Sequence, residues 1–224
     1  MDAHVLKNII RPPRDLIRQF AVFDTATVHE ASGGAGALSS GIKPVDPLSR
    51  LCGPAVTVFC RPGENLILHK AIYVAEPGDV LVVTVADYEE AGPWGEIMSF
   101  AAQVRGVAGL VMDGSVRDSR AIIDMRFPVF SRSLCIKGTT KDSLGLINHP
   151  IIIGGVPIHP GDLIMGDADG VVVVARDDLA KVLSACTART EKEIKIKEEL
   201  KKGKSTLELY GFDKMLEAKG LKES

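Results

Sequence analysis

No apolar run in this chain approaches the ~18 residues that a membrane-crossing helix requires. Its first residues, MDAHVLKNIIRPPRDL, hold no apolar segment of the kind that opens a secretion signal. Surplus charge is also missing. The 27 basic and 29 acidic residues leave a net charge of −2, so bulk electrostatics point to neither nucleic acid nor a membrane surface. Cysteine is sparse: Cys52, Cys60, Cys135 and Cys186 form no C-x-x-C pair and have no histidine at short metal-ligand spacing. A disulfide frame and a zinc site are thereby excluded, and the four are expected to be small buried hydrophobes in a reducing, cytoplasmic compartment. No Walker loop, nucleophile elbow or H-E-x-x-H motif occurs. Ser32-Gly33-Gly34-Ala35-Gly36 is glycine-rich but follows no strand, which makes it a mobile loop rather than a dinucleotide cradle.

What is present reads as one ordinary domain. The 224 residues are 46 % hydrophobic and 25 % charged, the balance of a globular chain able to bury a core. Helices are expected at Arg14–Phe20, entered through Pro12-Pro13, and at 25–31, 65–75, 94–105 and 120–125. Strands are expected at 55–60, 80–85, 109–112, 128–130, 151–153, 163–166 and 171–174. Gly154-Gly155, Pro160-Gly161-Asp162 and Asp169-Gly170 carry hairpin-type turn chemistry. A last long helix runs from Asp177 to Lys202 and stops at Gly203. The order βαβαβ, then hairpin-like β, then a helix, is α/β with a mixed sheet. The domain is expected to span 1–203, with 204–224 as a C-terminal tail. From Lys181 onward 11 basic and 8 acidic residues alternate, which reads as a solvated helix face rather than a nucleic-acid arm.

The stretch richest in chemistry is Pro93-Trp94-Gly95-Glu96-Ile97-Met98, followed by Gly109 to Asp118. A helix opening at Gly95-Glu96 presents free backbone N–H groups, which suit a carboxylate. The second segment is a strand that ends by exposing Arg117 and Asp118, and the carboxyl ends of strands in α/β sheets are where ligands sit. A guanidinium can fork onto an anion while the adjacent carboxylate holds a hard cation. Spacing alone leaves another reading open, in which Asp118 caps the following helix and Arg117 is a surface charge. His29 and His69 read as structural, and His4, His149 and His159 form no ligand cluster. Trp94 reads as packing at a pocket rim.

These residues carry a resemblance. With Thr25-Ala-Thr-Val-His-Glu-Ala31, Pro62-Gly-Glu-Asn65, Phe127-Pro-Val129, Lys137-Gly-Thr139, Pro160-Gly-Asp162 and Asp167-Ala-Asp-Gly-Val171, the chain resembles the class II pyruvate aldolases. Those enzymes cleave 4-hydroxy-4-methyl-2-oxoglutarate and 4-carboxy-4-hydroxy-2-oxoadipate, and they lie within the superfamily of the regulator of ribonuclease activity A. The specific motif is an acid, twenty intervening residues and Arg-Asp, met here by Glu96, Arg117 and Asp118.

The resemblance implies a swivelling ββα-type fold and a homotrimer, or a pair of trimers, with active sites at subunit interfaces. It implies that Asp118 ligates Mg²⁺ or Mn²⁺ and that Arg117 contacts the pyruvyl end of a small 2-oxo acid. Gly95, Glu96, Ile97 and Met98 would supply contacts to substrate and to metal-bound water, with no nucleic acid or membrane as partner. It further implies that Glu193, in Lys192-Glu193 ten residues before Gly203, reaches a neighbouring subunit's site; on spacing alone Glu193 instead pairs with Lys197. Retro-aldol release of pyruvate and oxaloacetate decarboxylation would follow from one enolate. Two departures bear on the substrate: the acid is Glu96 where such aldolases often carry Asp, and Ala121 stands where they often place a second acid. The rival is a ribonuclease-regulating binding protein without catalysis; that regulator carries an amide where this chain has Asp118. A quinone methyltransferase finds no support, because no glycine-rich methyl-donor loop follows a strand.

Overall fold

A computed structural model describes residues 3–222. The chain opens with a short strand, β1 (His4–Val5), then α1 (Arg14–Phe20) and α2 (Thr25–Ala31), and an edge strand β2 (Lys43–Pro44). The centre is a parallel right-through run: β3 (Leu51–Phe59), α3 (Leu66–Ile72), β4 (Val80–Thr84), α4 (Glu96–Val104), β5 (Gly109–Val116), α5 (Ser119–Asp124) and β6 (Val129–Leu134). The strands β4 and β5 are buried along their whole length, and the continuous β-branched and apolar run of β4 is what a sheet covered on both faces requires. Next come β7 (Leu146–Ile147), the hairpin β8 (Ile151–Ile153) and β9 (Val156–Ile158), and the hairpin β10 (Leu163–Asp167) and β11 (Gly170–Val174). A 3₁₀ turn at Arg176–Asp178 leads into α6 (Leu179–Lys201), followed by α7 (Thr206–Tyr210) and α8 (Phe212–Ala218).

The sheet order is β1-β7-β3-β4-β5-β6-β2, with β7 and β10 both antiparallel to β3. β3 is long enough to serve two pairings, since Ala55–Phe59 lies against β4 while Leu51–Pro54 lies against β10. Three apolar layers follow. One joins the sheet to α3, α4 and α5 through residues such as Leu68, Met98 and Ile122. A second, with Val82, Val111 and Phe130, fills the opposite face beneath β8–β11. The third seats α1, α2 and the start of α6 on β10 and β11 through Phe20, Val28, Leu179, Val182 and Cys186. The mixed sheet and long C-terminal helix match the fold expected from sequence. Among the described residues no helix is long and apolar enough to cross a membrane.

Some local readings change. Pro160-Gly161-Asp162 is not a hairpin turn, because β9 pairs with β8 while β10 pairs with β11 and β3. The Asp162 carboxylate instead accepts the His159 and Arg176 N–H groups, tying the turn to the entry of α6. Trp94 is not at a rim: it is fully buried, and its indole N–H donates to Ser99 Oγ at 2.7 Å. Cys60 and Cys186 are buried as expected, whereas Cys52 and Cys135 are only half-buried. His29 is half-buried, with Nδ1 2.9 Å from the Ala35 carbonyl oxygen.

Asp167 joins two layers. Its buried carboxylate accepts the Thr25 N–H at 2.8 Å, the Thr25 hydroxyl at 2.7 Å and the Asp169 N–H at 3.0 Å. Burial by itself would raise its pKa, but these bonds outweigh it and hold the carboxyl below the usual carboxylate range. Asp167→Ala is expected to cost about 2–4 kcal/mol in urea unfolding at neutral pH, since it strands buried donors at the start of α2. The folded-state pKa is depressed, so this contribution is present above the unfolded carboxylate pKa and is lost as the pH falls through the folded value. A variant as stable as the parent would remove Asp167 from the account of how α2 is held.

Candidate active site

β5 leaves the sheet at Val116, and the chain turns at once. The Arg117 N–H donates to the Trp94 carbonyl at 2.9 Å, and Asp118 adopts a left-handed backbone (φ 57, ψ 36). Aspartate is among the few non-glycine residues that tolerate this region. The turn throws the Asp118 carboxylate toward α4, where Oδ2 accepts the Glu96 N–H at 3.1 Å. The carboxylate therefore caps α4 from a neighbouring strand, and although Asp118 stands at the N-cap position of α5 its side chain makes no cap bond there.

Gly95 explains why the two segments can meet. A Cβ at this position would stand 2.3 Å from Asp118 Oδ2 and 3.1 Å from Arg117 Cγ. The motif of Gly, acid, twenty residues and Arg-Asp is thus the length of α4 plus β5, bringing the start of one against the end of the other.

Arg117 and Asp118 are each a little under half exposed, with Nε 3.6 Å from Oδ2. Glu96 is exposed beside them. The Ile97 and Met98 N–H groups belong to the first turn of α4, where no intrahelical partner exists. Their side chains diverge: Ile97 is 75 % exposed, while Met98 is buried in the layer beneath the helix and can offer a ligand only its backbone. Gly95, Glu96, Ile97, Met98, Arg117 and Asp118 are therefore brought together. Glu193 is not part of this group within one chain. It forms an ion pair with Arg189, Oε1 lying 2.9 Å from Nε, and Arg189 also pairs with Glu30. The expected Glu193–Lys197 pair is replaced because Arg189, one turn earlier, is itself held against α2 by Glu30.

Surrounding bonds fix the loop that precedes α4. Asn65 Nδ2 donates to the Pro93 carbonyl at 3.2 Å, the Ser115 hydroxyl to the Glu89 carbonyl at 2.6 Å, and the Ser133 hydroxyl to the Glu89 carboxylate at 2.7 Å. The Gly92 N–H donates to the Lys137 carbonyl at 2.9 Å. Sequence reasoning gave none of these residues a role, although Pro62-Gly-Glu-Asn65 and Lys137-Gly-Thr139 were visible as motifs. Beside the site, Ile97, Phe100 and Val104 form an exposed apolar stripe along α4, and Leu134 and Ile136 (94 % exposed) are further exposed apolar residues, at and beyond the end of β6.

No group of three or more His, Cys, Asp or Glu side chains among the described residues could hold a metal ion. The donor set is one carboxylate, with Asp118 Oδ1 making no bond to a described residue, and a second acid beside it. Such a set suits a hard cation that keeps most of its water, Mg²⁺ or Mn²⁺, and not a thiolate- or imidazole-ligated metal.

Known proteins resemble this chain in sequence and in fold. The RraA-like family model, described as Aldolase/RraA, matches residues 22–173. A protein of Halalkalibacterium halodurans named "Putative 4-hydroxy-4-methyl-2-oxoglutarate aldolase" is 42 % identical over 169 residues, which cover 75 % of this chain and 80 % of the relative. An uncharacterised protein from Pseudomonas syringae pv. tomato superposes with a TM-score of 0.77 at 31 % identity, covering 90 % of this chain and 98 % of that one. RraAS2 of Streptomyces coelicolor, described as an unusual member of the RNase ES inhibitor RraA protein family, gives a TM-score of 0.76 at 25 % identity, over 85 % and 99 % of the two chains. The chain belongs to the RraA-like family.

Proposed function

We propose that this protein is a divalent-metal-dependent pyruvate aldolase acting on a 4-hydroxy-2-oxo acid of the 4-hydroxy-4-methyl-2-oxoglutarate or 4-carboxy-4-hydroxy-2-oxoadipate type. The observation that carries this reading is the Asp118 carboxylate, fixed on the Glu96 N–H with its second oxygen free and the Arg117 guanidinium alongside. The H. halodurans relative's name supports the same reaction class.

Asp118 Oδ1 would hold the cation, and Glu96 would orient water in its shell. When bound, the ion supplies Lewis acidity toward the carboxylate and keto oxygens of a 2-oxo acid. In the retro-aldol step a proton leaves the C4 hydroxyl, the C3–C4 electron pair passes onto the 2-oxo oxygen, and C4 becomes a carbonyl. Protonation at C3 then completes pyruvate. Arg117 faces the developing charge with a planar fork that can engage a carboxylate and the enolate oxygen together, which a lysine ammonium cannot do. The Ile97 and Met98 N–H groups, at the positive end of a nine-residue helix, suit the substrate carboxylate. Glu96 stands where it can move a proton to or from bound water. Loss of CO₂ from oxaloacetate passes through the same enolate, so decarboxylation is expected as a side activity.

The working unit we propose is a trimer or a pair of trimers. The apolar stripe of Ile97, Phe100 and Val104 beside the site supports a covering neighbour, and Glu193 of that neighbour would complete the metal-water shell. A second reading, a non-catalytic regulator of a ribonuclease, draws on the likeness to RraAS2. Pyruvate release from both 4-hydroxy-2-oxo acids and from oxaloacetate separates the two. Turnover is expected with Mg²⁺ or Mn²⁺, falling by about 100-fold or more in excess chelator. No pyruvate from any of the three with metal present, or an undiminished rate in chelator, would overturn the assignment.

A further inference from the structure

The substrates proposed above carry a carboxylate at each end, and the Arg117–Asp118 corner accounts for only one. Two glycines lead to a candidate for the other. A Cβ on Gly92 would lie 3.0 Å from Arg117 Cβ and 2.3 Å from the Cys135 carbonyl oxygen, and a Cβ on Gly138 would lie 4.0 Å from Arg117 Nη1. Residues 90–95, 115–118 and 135–138 are therefore packed directly on one another. The Gly92 N–H to Lys137 carbonyl bond (2.9 Å) and the Cys135 N–H to Val116 carbonyl bond (2.9 Å) lock that packing. Lys137 is next in the chain to the glycine that abuts the guanidinium.

The Lys137 ammonium is paired with the Glu90 carboxylate, and the two side chains are 62 % and 68 % exposed, so the pair is open to solvent on loops that pack against Arg117. An ion pair that open to water opens at little cost, and a better-placed carboxylate can displace Glu90 from it. The hydrogen bond and charge of Glu90 hold the ammonium above the ordinary lysine value, so it is a full cation at neutral pH.

We propose that Lys137, released by Glu90, receives the distal carboxylate of a dicarboxylic 4-hydroxy-2-oxo acid and sets the preference for diacids over monoacids. This rests on the aldolase reading. A flexible ammonium suits the task, because the distal carboxylate departs with the carbonyl product and needs a point charge rather than a rigid fork.

The test compares kcat/KM for 4-hydroxy-4-methyl-2-oxoglutarate and for the monoacid 4-hydroxy-2-oxopentanoate, read as pyruvate release with Mg²⁺, in the parent, Lys137→Gln and Lys137→Arg. Lys137→Gln is expected to lower the diacid value by roughly 10- to 100-fold, mainly through KM, as loss of a charge-assisted hydrogen bond should. The monoacid value should stay within a few-fold, and Lys137→Arg should restore the diacid preference. Equal losses on both acids, or no loss on either, would overturn the assignment while leaving the aldolase intact. A parent enzyme that releases no pyruvate from either acid, from 4-carboxy-4-hydroxy-2-oxoadipate or from oxaloacetate would overturn the aldolase reading, and this one with it.

Discussion

Asp118→Asn is expected to lower metal-dependent pyruvate release by on the order of 10²- to 10³-fold without unfolding the protein. The substitution is chosen for what it keeps. Asparagine has the same shape, accepts the left-handed backbone seen at this position (φ 57), and can still offer an amide oxygen to the Glu96 N–H. Only the charge is removed, and with it the affinity of a hard cation for the one carboxylate oxygen that projects into the site. Asp118→Ala would confound this by also removing the α4 cap. Mn²⁺ titration followed by electron paramagnetic resonance should show weakened binding in the same variant. An Asn variant with the parent's rate and Mn²⁺ affinity would disconnect Asp118 from metal.

Gly95→Ala is expected to be nearly as damaging, through geometry instead of charge. The new methyl would sit 2.3 Å from Asp118 Oδ2, a distance that no real Cβ contact sustains. The backbone at Gly95 is extended (φ −154, ψ −159), so alanine meets no conformational objection there and the whole effect falls on its neighbour. Either the Asp118 carboxylate swings off the Glu96 N–H or the start of α4 moves away. Both displace the Asp118 carboxylate, the metal ligand we propose, relative to Arg117, and a shift of about 1 Å in such a site costs on the order of 10²-fold in rate. Urea unfolding should register a loss of about 1–3 kcal/mol for overpacking. Parent-like turnover in Gly95→Ala would mean that the contact between the two segments has no part in catalysis.

The fold was legible wherever a residue pattern has a local cause. Arg14–Phe20 begins after a proline pair that presets its entry and was read to the residue. The run Val80–Thr84 could only be a strand covered on both faces. The two-residue strands at His4–Val5, Lys43–Pro44 and Leu146–Ile147 left no trace, because two residues cannot display a period of two. The Pro160–Asp162 turn shows a different limit: the same Pro-Gly-Asp chemistry serves a hairpin or a crossover, and the pairing of distant strands decides which.

The site divides in the same way. Glu96, Arg117 and Asp118 could be connected by spacing and resemblance, but the direction of the Asp118 carboxylate depends on a helix that starts twenty-two positions earlier. No local rule selects α4 over α5. Trp94 and Met98 were read near the ligand because of their neighbours in sequence, yet both side chains turn into the core. Lys137 and Glu90 carried no signal of association, being paired only through the packing of two loops.

The dual pairing of β3 bears on the order in which the molecule assembles. Every contact that shapes the Arg117–Asp118 corner lies between Asn65 and Gly138, a continuous stretch of crossovers whose strands pair with their immediate successors. Leu51–Pro54, by contrast, must wait for Leu163–Gly166, which follows much later in the chain. Closing that longer loop carries the larger entropic cost and belongs to the slower phase of refolding. The guanidinium and carboxylate are thus brought into register by shorter loop closures than the one that seats the strand completing the second layer.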